Sequence, residues 1–234
     1  MKPELISFDA AGTLVEVNWR PGHFAVECAL ASGASMDAQA GEETYSRLLQ
    51  TRWRVYCEIN QTRDDDACDQ FWRELAGDWL DRMEVPNSIL QSMLDLADTR
   101  LYGMDDTFKL YADVLPALQN LQAQGWRMVV LSNWDYSLHR ILRNLGVSAM
   151  FEHVFASLQE GPEKPDPALF SIVSQRVGLP PEAILHVGDH PLDDLEGARN
   201  AGWQALFLDR SYAGFSPPTI CSLSQMPEAL DWLS

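Results

Sequence analysis

The sequence predicts an α/β protein: a doubly wound parallel sheet interrupted by an inserted all-helical domain. Three observations predict it. Residues 5–8 are a buried-strand run, apolar at Leu5, Ile6 and Phe8, that leads into Asp9 and a Gly12-Thr13 turn. From Asp113 onward, short apolar runs alternate with helical patterns, the rhythm of βα units. Between these regions, from Pro21 to about Leu101, apolar residues recur at helical spacing. The simplest architecture is a core of residues 1–14 and 110–234, with 15–109 inserted after the first strand.

Each element has its own signal. In the insert, Leu48, Leu49, Trp53, Tyr56 and Ile59 mark one helix. Trp72, Leu75, Trp79 and Met83 mark a second, and Leu90, Met93, Leu94, Ala97 and Leu101 a third. Pro86 with Asn87 and Ser88 opens that third helix. The tryptophans at this spacing read as packing between helices. In the core, Asp113 caps a helix that carries Pro116 in its first turn and stops at Gly125. Strands follow at 126–131, 153–156, 183–187 and 203–208, with helices at 136–145, 168–177 and 192–201. Residues 161–167 (GPEKPDP) form a stiff, proline-dense loop.

Composition narrows the function. The 234 residues carry a formal net charge of −17, and only Lys2, Lys109 and Lys164 are lysines. Such a surface repels phosphate backbones and anionic lipid, so nucleic acid and membrane are not expected partners. A small anionic substrate stays possible where a bound cation reverses the sign locally. Cys28, Cys57, Cys68 and Cys221 show no metal-ligand rhythm and read as small hydrophobes of a reducing compartment. No apolar run has the length of a membrane span, and the expected location is the cytoplasm.

Several strand ends carry polar groups: Asp9, Ser132 with Asn133, and Asp189. In a doubly wound sheet these ends share one edge, and Lys164 in its loop can join them. Two carboxylates side by side call for a cation, and such oxygen ligands suit Mg²⁺. Asp194 lies in the first turn of the next helix. Taken singly, Asp9 can cap a turn, Ser132 can cap a helix and Lys164 can be a solvated surface lysine. His186 and His190 flank the Asp189 turn, and a structural role is expected for both.

The set resembles the haloacid dehalogenase superfamily of hydrolases, in the branch with a helical cap after the first motif. The residues that carry the likeness are Phe8-Asp9-Ala10-Ala11-Gly12-Thr13-Leu14, Leu131-Ser132-Asn133, Lys164-Pro165, and Gly188-Asp189 through Asp194 with Gly197-Ala198-Arg199. Ser132-Asn133-Trp134-Asp135 is similar to the form found in the group named after a rhythmically expressed fly gene. The resemblance implies a Rossmann-like core and covalent catalysis, with Asp9 as the nucleophile. It implies Mg²⁺ held by Asp9, Asp189 and the Ala11 backbone carbonyl. Ser132 and Lys164 would grip phosphoryl oxygens, with Gly12, Thr13 and Asn133 also on the substrate, and Asp194 would orient the metal water or Lys164.

One position departs from the pattern. Phosphatases of this superfamily carry a second Asp two residues after the nucleophile, as general acid and base. Here that residue is Ala11, and the help it cannot give is typically worth ~10²–10⁴ in rate. Phosphonate-cleaving relatives also have Ala there but use a cap lysine, and this insert has none before Lys109. Dehalogenase relatives lack the second Asp too but replace the Gly-Asp that stands here as Gly188-Asp189. The expected function is Mg²⁺-dependent hydrolysis of a small phosphorylated metabolite, with reduced activity. The alternatives are a 2-haloacid dehalogenase and a non-catalytic protein that binds a phosphometabolite or another protein.

Overall fold

The computed structural model of the protein describes residues 2–103, 107–212 and 214–233. Its strands are β1 (Leu5–Phe8), β2 (Val15–Val17), β3 (Phe108–Leu110), β4 (Arg127–Ser132), β5 (His153–Ala156), β6 (Ile184–Gly188), β7 (Gln204–Leu208) and β8 (Thr219–Ile220). Six of them form one sheet in the order β5-β4-β1-β6-β7-β8, and every pairing is parallel. β2 and β3 form a separate two-stranded sheet. β1 lies between β4 and β6, so all four of its residues are fully buried, as a run apolar on both faces requires. The chain builds outward from β1 through β4 to β5, then returns to the other side of β1 with β6. The strand order therefore reverses between β1 and β6, the place where open α/β sheets form a crevice at the carboxyl ends of their strands. Asp9 follows β1 and Asp189 follows β6.

The chain divides into two compact units, one of residues 1–17 and 109–234, the other of residues 18–108. The second unit holds α1 (Pro21–Ala31), α2 (Ala38–Gln61), α3 (Asp65–Arg82) and α4 (Leu90–Tyr102). Asp37 and Asp64 start α2 and α3, accepting from the amides of Ala40 (2.8 Å) and Ala67 (3.0 Å). Trp79 is fully buried, and its indole N–H donates to the Gly41 carbonyl at 2.9 Å. Tyr56 stacks near Phe71 and accepts from the Trp72 indole at 3.0 Å. Trp53 is the exception to the packing expectation, since it is 42% exposed.

In the first unit, α5 (Val114–Ala123), α6 (Ser137–Asn144), α7 (Ser157–Glu160), α8 (Pro167–Val177), α9 (Gly197–Asn200) and α10 (Met226–Trp232) accompany the strands. Leu169, Phe170, Val173 and Val177 of α8 close over Leu5, Val129, Leu131, Phe155 and Ile184 of the sheet. Burying a side chain of this size contributes about 1.5–3 kcal/mol, so this cluster is what holds the strand ends in place.

Two local expectations differ from what is found. Residues 192–201 do not form one α-helix: Pro191–Glu196 is a wider π-helical turn, and only Gly197–Asn200 is α-helical. Asp113 does stand at the start of α5, but its side chain does not cap it. The carboxylate takes the Arg210 guanidinium, the Ser222 hydroxyl (2.7 Å) and the Leu223 amide (2.8 Å) instead. No helix among the described residues is long and apolar enough to cross a membrane.

Candidate active site

The polar groups at the strand ends meet around one ammonium. Lys164 is 4% exposed, and its Nζ donates to Asp9 Oδ1 at 2.6 Å, to Asp194 Oδ1 at 2.5 Å and to the Leu131 carbonyl at 3.1 Å. A lysine has three donors, and all three are used. Gripping a phosphoryl oxygen, the task expected of Lys164, therefore requires exchanging one of these bonds. The loop is fixed from behind by Asn133. Its side-chain amide donates to the Lys164 carbonyl and accepts from the Lys164 amide, both at 2.8 Å. Asn133, expected on the substrate, is thus engaged with the lysine's backbone.

Asp194 is buried and fully occupied. Oδ1 accepts from Lys164 and faces His186 Nε2 at 3.1 Å, and Oδ2 accepts from the His190 amide at 2.8 Å. Gly188 makes this approach possible: a Cβ there would lie 2.2 Å from the Asp194 carboxyl carbon. Burial pushes the Asp194 carboxyl up, but the His186 hydrogen bond and the Lys164 charge outweigh it and hold it well below the usual carboxylate range. Burial likewise opposes the Lys164 charge, and Asp9 and Asp194 together still keep the amine above its ordinary value. The His186 ring is completed by Ser7, 3.0 Å from Nδ1. The ring thus links β1 to the Asp194 carboxylate.

Asp9 and Asp189 are the less committed carboxylates. Burial raises both above the ordinary value, Asp9 against the pull of Lys164 and Asp189 against a hydrogen bond from Thr13. Thr13, expected on the substrate, is fully buried and donates its hydroxyl to Asp189 Oδ1 at 3.1 Å. Gly12 has φ +75°, and a Cβ there would meet Asp189 Oδ2 at 2.2 Å. Only glycine lets the loop lie against that carboxylate in that conformation. The turn is closed by Gly12 N–H to the Val15 carbonyl and by the amides of Leu14 and Val15 to the Ala10 carbonyl. None of these bonds uses the Ala11 carbonyl. Ser132 ends β4, buried, in register with Ala156.

Asp9, Asp189 and Asp194 each offer an oxygen, and the three oxygens lie within 4.8 Å of one another. Hard oxygen donors of this kind suit a small divalent cation such as Mg²⁺. Because Asp194 is engaged by Lys164, His186 and His190, the less committed carboxylate donors of the three are Asp9 and Asp189. Net negative charge from three carboxylates against one ammonium favours the same cation.

Sequence reasoning missed Arg210. Its Nε donates to the Gly12 carbonyl at 3.1 Å and its Nη2 to the Thr13 carbonyl at 2.6 Å. The available signal was its place, a cation two residues past a strand at the sheet edge that carries the other groups.

The Rhythmically expressed gene 2 protein of Drosophila melanogaster is 25% identical, over 89% of this chain and 84% of its own. The Glyceraldehyde 3-phosphate phosphatase of Methanopyrus kandleri is 36% identical over 178 residues, covering 76% of this chain and 71% of its own. A 2-haloacid dehalogenase structure from Pseudomonas syringae superposes with a TM-score of 0.70 at 26% identity, over 99% of this chain and all of that one. Residues 3–202 match the profile of the haloacid dehalogenase-like hydrolases, and the chain belongs to that family.

Proposed function

We propose that this hydrolase cleaves the phosphate ester of a small phosphorylated metabolite through an aspartyl-phosphate on Asp9, with Mg²⁺ held by Asp9, Asp189 and the Ala11 carbonyl. The carrying observation is the buried Lys164 placed between Asp9 and Asp194, with Asp189 within metal-sharing reach. The phosphatase from Methanopyrus kandleri supports the substrate class. The helical unit 18–108 takes the role of the cap that selects the substrate.

Lys164 holds Asp9 Oδ1 and so aims the other oxygen at phosphorus. The new O–P bond forms as the ester P–O bond breaks, and the departing alkoxide takes its proton from water, because Ala11 has none to give. Water then attacks phosphorus, the acyl phosphate P–O bond breaks and inorganic phosphate leaves. Ser132 donates to a phosphoryl oxygen, and Asp194 keeps Lys164 charged and in place. Bound Mg²⁺ supplies Lewis-acid neutralisation of the phosphoryl charge.

Phosphate release from a panel of small phosphate esters, with Mg²⁺ or with EDTA, tests this reading. Release that EDTA abolishes is expected. Ala11 gives a second reading a specific foothold: halide displacement from a 2-haloacid by Asp9 needs no leaving-group acid, and the Pseudomonas syringae structure is a dehalogenase. Halide release without Mg²⁺ overturns the phosphatase, and silence on both panels points to a binding protein. Ala11→Asp should raise phosphatase kcat by about 10²-fold, the low end of general-acid help. No gain in a folded, Mg²⁺-binding variant counts against the missing-acid account.

A further inference from the structure

Arg210 stands two residues past β7, and its guanidinium is used on every side. Nε and Nη2 donate to the Gly12 and Thr13 carbonyls at 3.1 and 2.6 Å. Nη1 donates to both Asp113 oxygens at 3.1 Å. One face lies 3.8 Å from the Tyr111 ring centroid. Asp113 is itself fixed by Ser222 and the Leu223 amide, so the plane of the guanidinium is set from outside the loop. Asp189 also lies against the Gly12-Thr13 segment: a Cβ on Gly12 would meet its carboxylate at 2.2 Å, and Thr13 donates to it at 3.1 Å. The loop is therefore tied both to a cation that donates to its carbonyls and to a carboxylate that accepts from its hydroxyl.

We propose that Arg210 is a positioning residue that sets the separation of Asp9 and Asp189 through the Gly12 and Thr13 carbonyls. The inference rests on the reading that these two carboxylates share a divalent cation. Asp9 is three residues before Gly12, so a shift of the loop moves one carboxylate directly and loosens the hydroxyl that orients the other. A lysine cannot take over the task. Its single nitrogen supplies charge to Asp113 but lacks the planar fork that reaches two carbonyls and a carboxylate at once.

The decisive variant is Arg210→Lys, which keeps the charge and the stem. Three results are expected. Amide exchange rises in residues 9–15 and not in β6 or β7. The Kd for Mn²⁺, read by electron paramagnetic resonance, rises about tenfold, the lower range seen when a ligand's supporting group is lost. Phosphatase kcat falls more than KM changes. Asp113→Asn, which leaves both carbonyl bonds but weakens the hold on the guanidinium plane, should raise the Mn²⁺ Kd by less than Arg210→Lys does, and an equal or larger rise overturns the assignment to the carbonyl bonds. Wild-type exchange in 9–15 together with wild-type Mn²⁺ affinity in Arg210→Lys overturns the inference. If the wild-type protein binds no Mn²⁺, the metal reading fails, and the exchange difference alone decides the placement. The wild-type protein offers one further measurement, independent of any variant's folding. The amides of Gly12, Leu14 and Val15 should exchange as slowly as those of β1, and fast exchange there overturns the proposal.

Discussion

The two units of the chain use charge in opposite ways. At the sheet edge the charged side chains are withdrawn from water: the side chain of Lys164 is 2% exposed, that of Asp194 2% and that of Asp9 8%. In the helical unit the described ion pairs all keep a substantial share of their side chains in water, most of all Arg54 and Glu58, 91% and 60% exposed. A surface pair trades one hydrated state for another and contributes little. A buried set has lost its water, so its members balance one another, and removing the shared ammonium leaves two carboxylates with nothing to balance them. The buried set is thus coupled, and the exposed pairs are independent.

The largest effect expected is on turnover. Asp9→Asn should lower any phosphatase activity on the order of 10³-fold or more, since the nucleophile is gone. Stability should hold or rise, because burial makes the Asp9 charge unfavourable and Lys164 keeps Asp194 as its counterion. A variant as active as wild type, or one that no longer folds, breaks the comparison at its centre.

Lys164→Met should cost about 3–5 kcal/mol of stability by urea unfolding in EDTA, as well as activity. Asp9 and Asp194 would then face each other without the cation between them. Asp9→Asn and Lys164→Met together separate a charge kept for chemistry from a charge that also holds the fold.

Asp113 lies between these extremes, at the edge of the site and 16% exposed. Burial raises its pKa, but Arg210, Ser222 and Leu223 pull harder and the net shift is down from 3.8. A depressed folded pKa means stability that is fully present above the unfolded value and lost as pH falls through the folded one. Asp113→Asn should therefore cost about 1.5–3 kcal/mol at pH 7, the range for hydrogen bonds to a charged group. The gap to wild type should narrow below pH 4 (about the unfolded Asp value). A gap that stays constant down to pH 2 breaks the assignment.

Much of this was legible in the sequence, for reasons that differ by residue. The apolar runs of β1, β4 and β6 stand out because each strand is covered on both faces, while β5 and β7 keep enough buried apolar residues to be read. β2, β3 and β8 have three, three and two residues and leave no pattern to read. Lys164 was conspicuous in a chain with three lysines. Arg210 was not, and Asn133 stood out but with the substrate as its expected partner, because their partners at the site are backbone groups, and a backbone group has no sequence signature. For the same reason Asp113 looked like a helix cap. The residue type and position fitted, while the competing partners lay some hundred residues away.

The smallest effect expected is at Arg54. Its Nε lies 3.0 Å from Glu58 Oε1, one turn along α2, with both side chains largely in water. The order is arginine first, the less favourable one for a pair at this spacing, because the helix dipole prefers the acid toward the N-terminus. Coulomb attraction across water is weak and salt screens it further. Arg54→Ala should therefore change stability by no more than about 0.5 kcal/mol, and alanine's higher helix propensity offsets part of that. The same measurement at low and high salt should differ little. A loss comparable to that of Lys164→Met would show that α2 depends on this pair, and the division between coupled buried charge and independent surface charge would not hold.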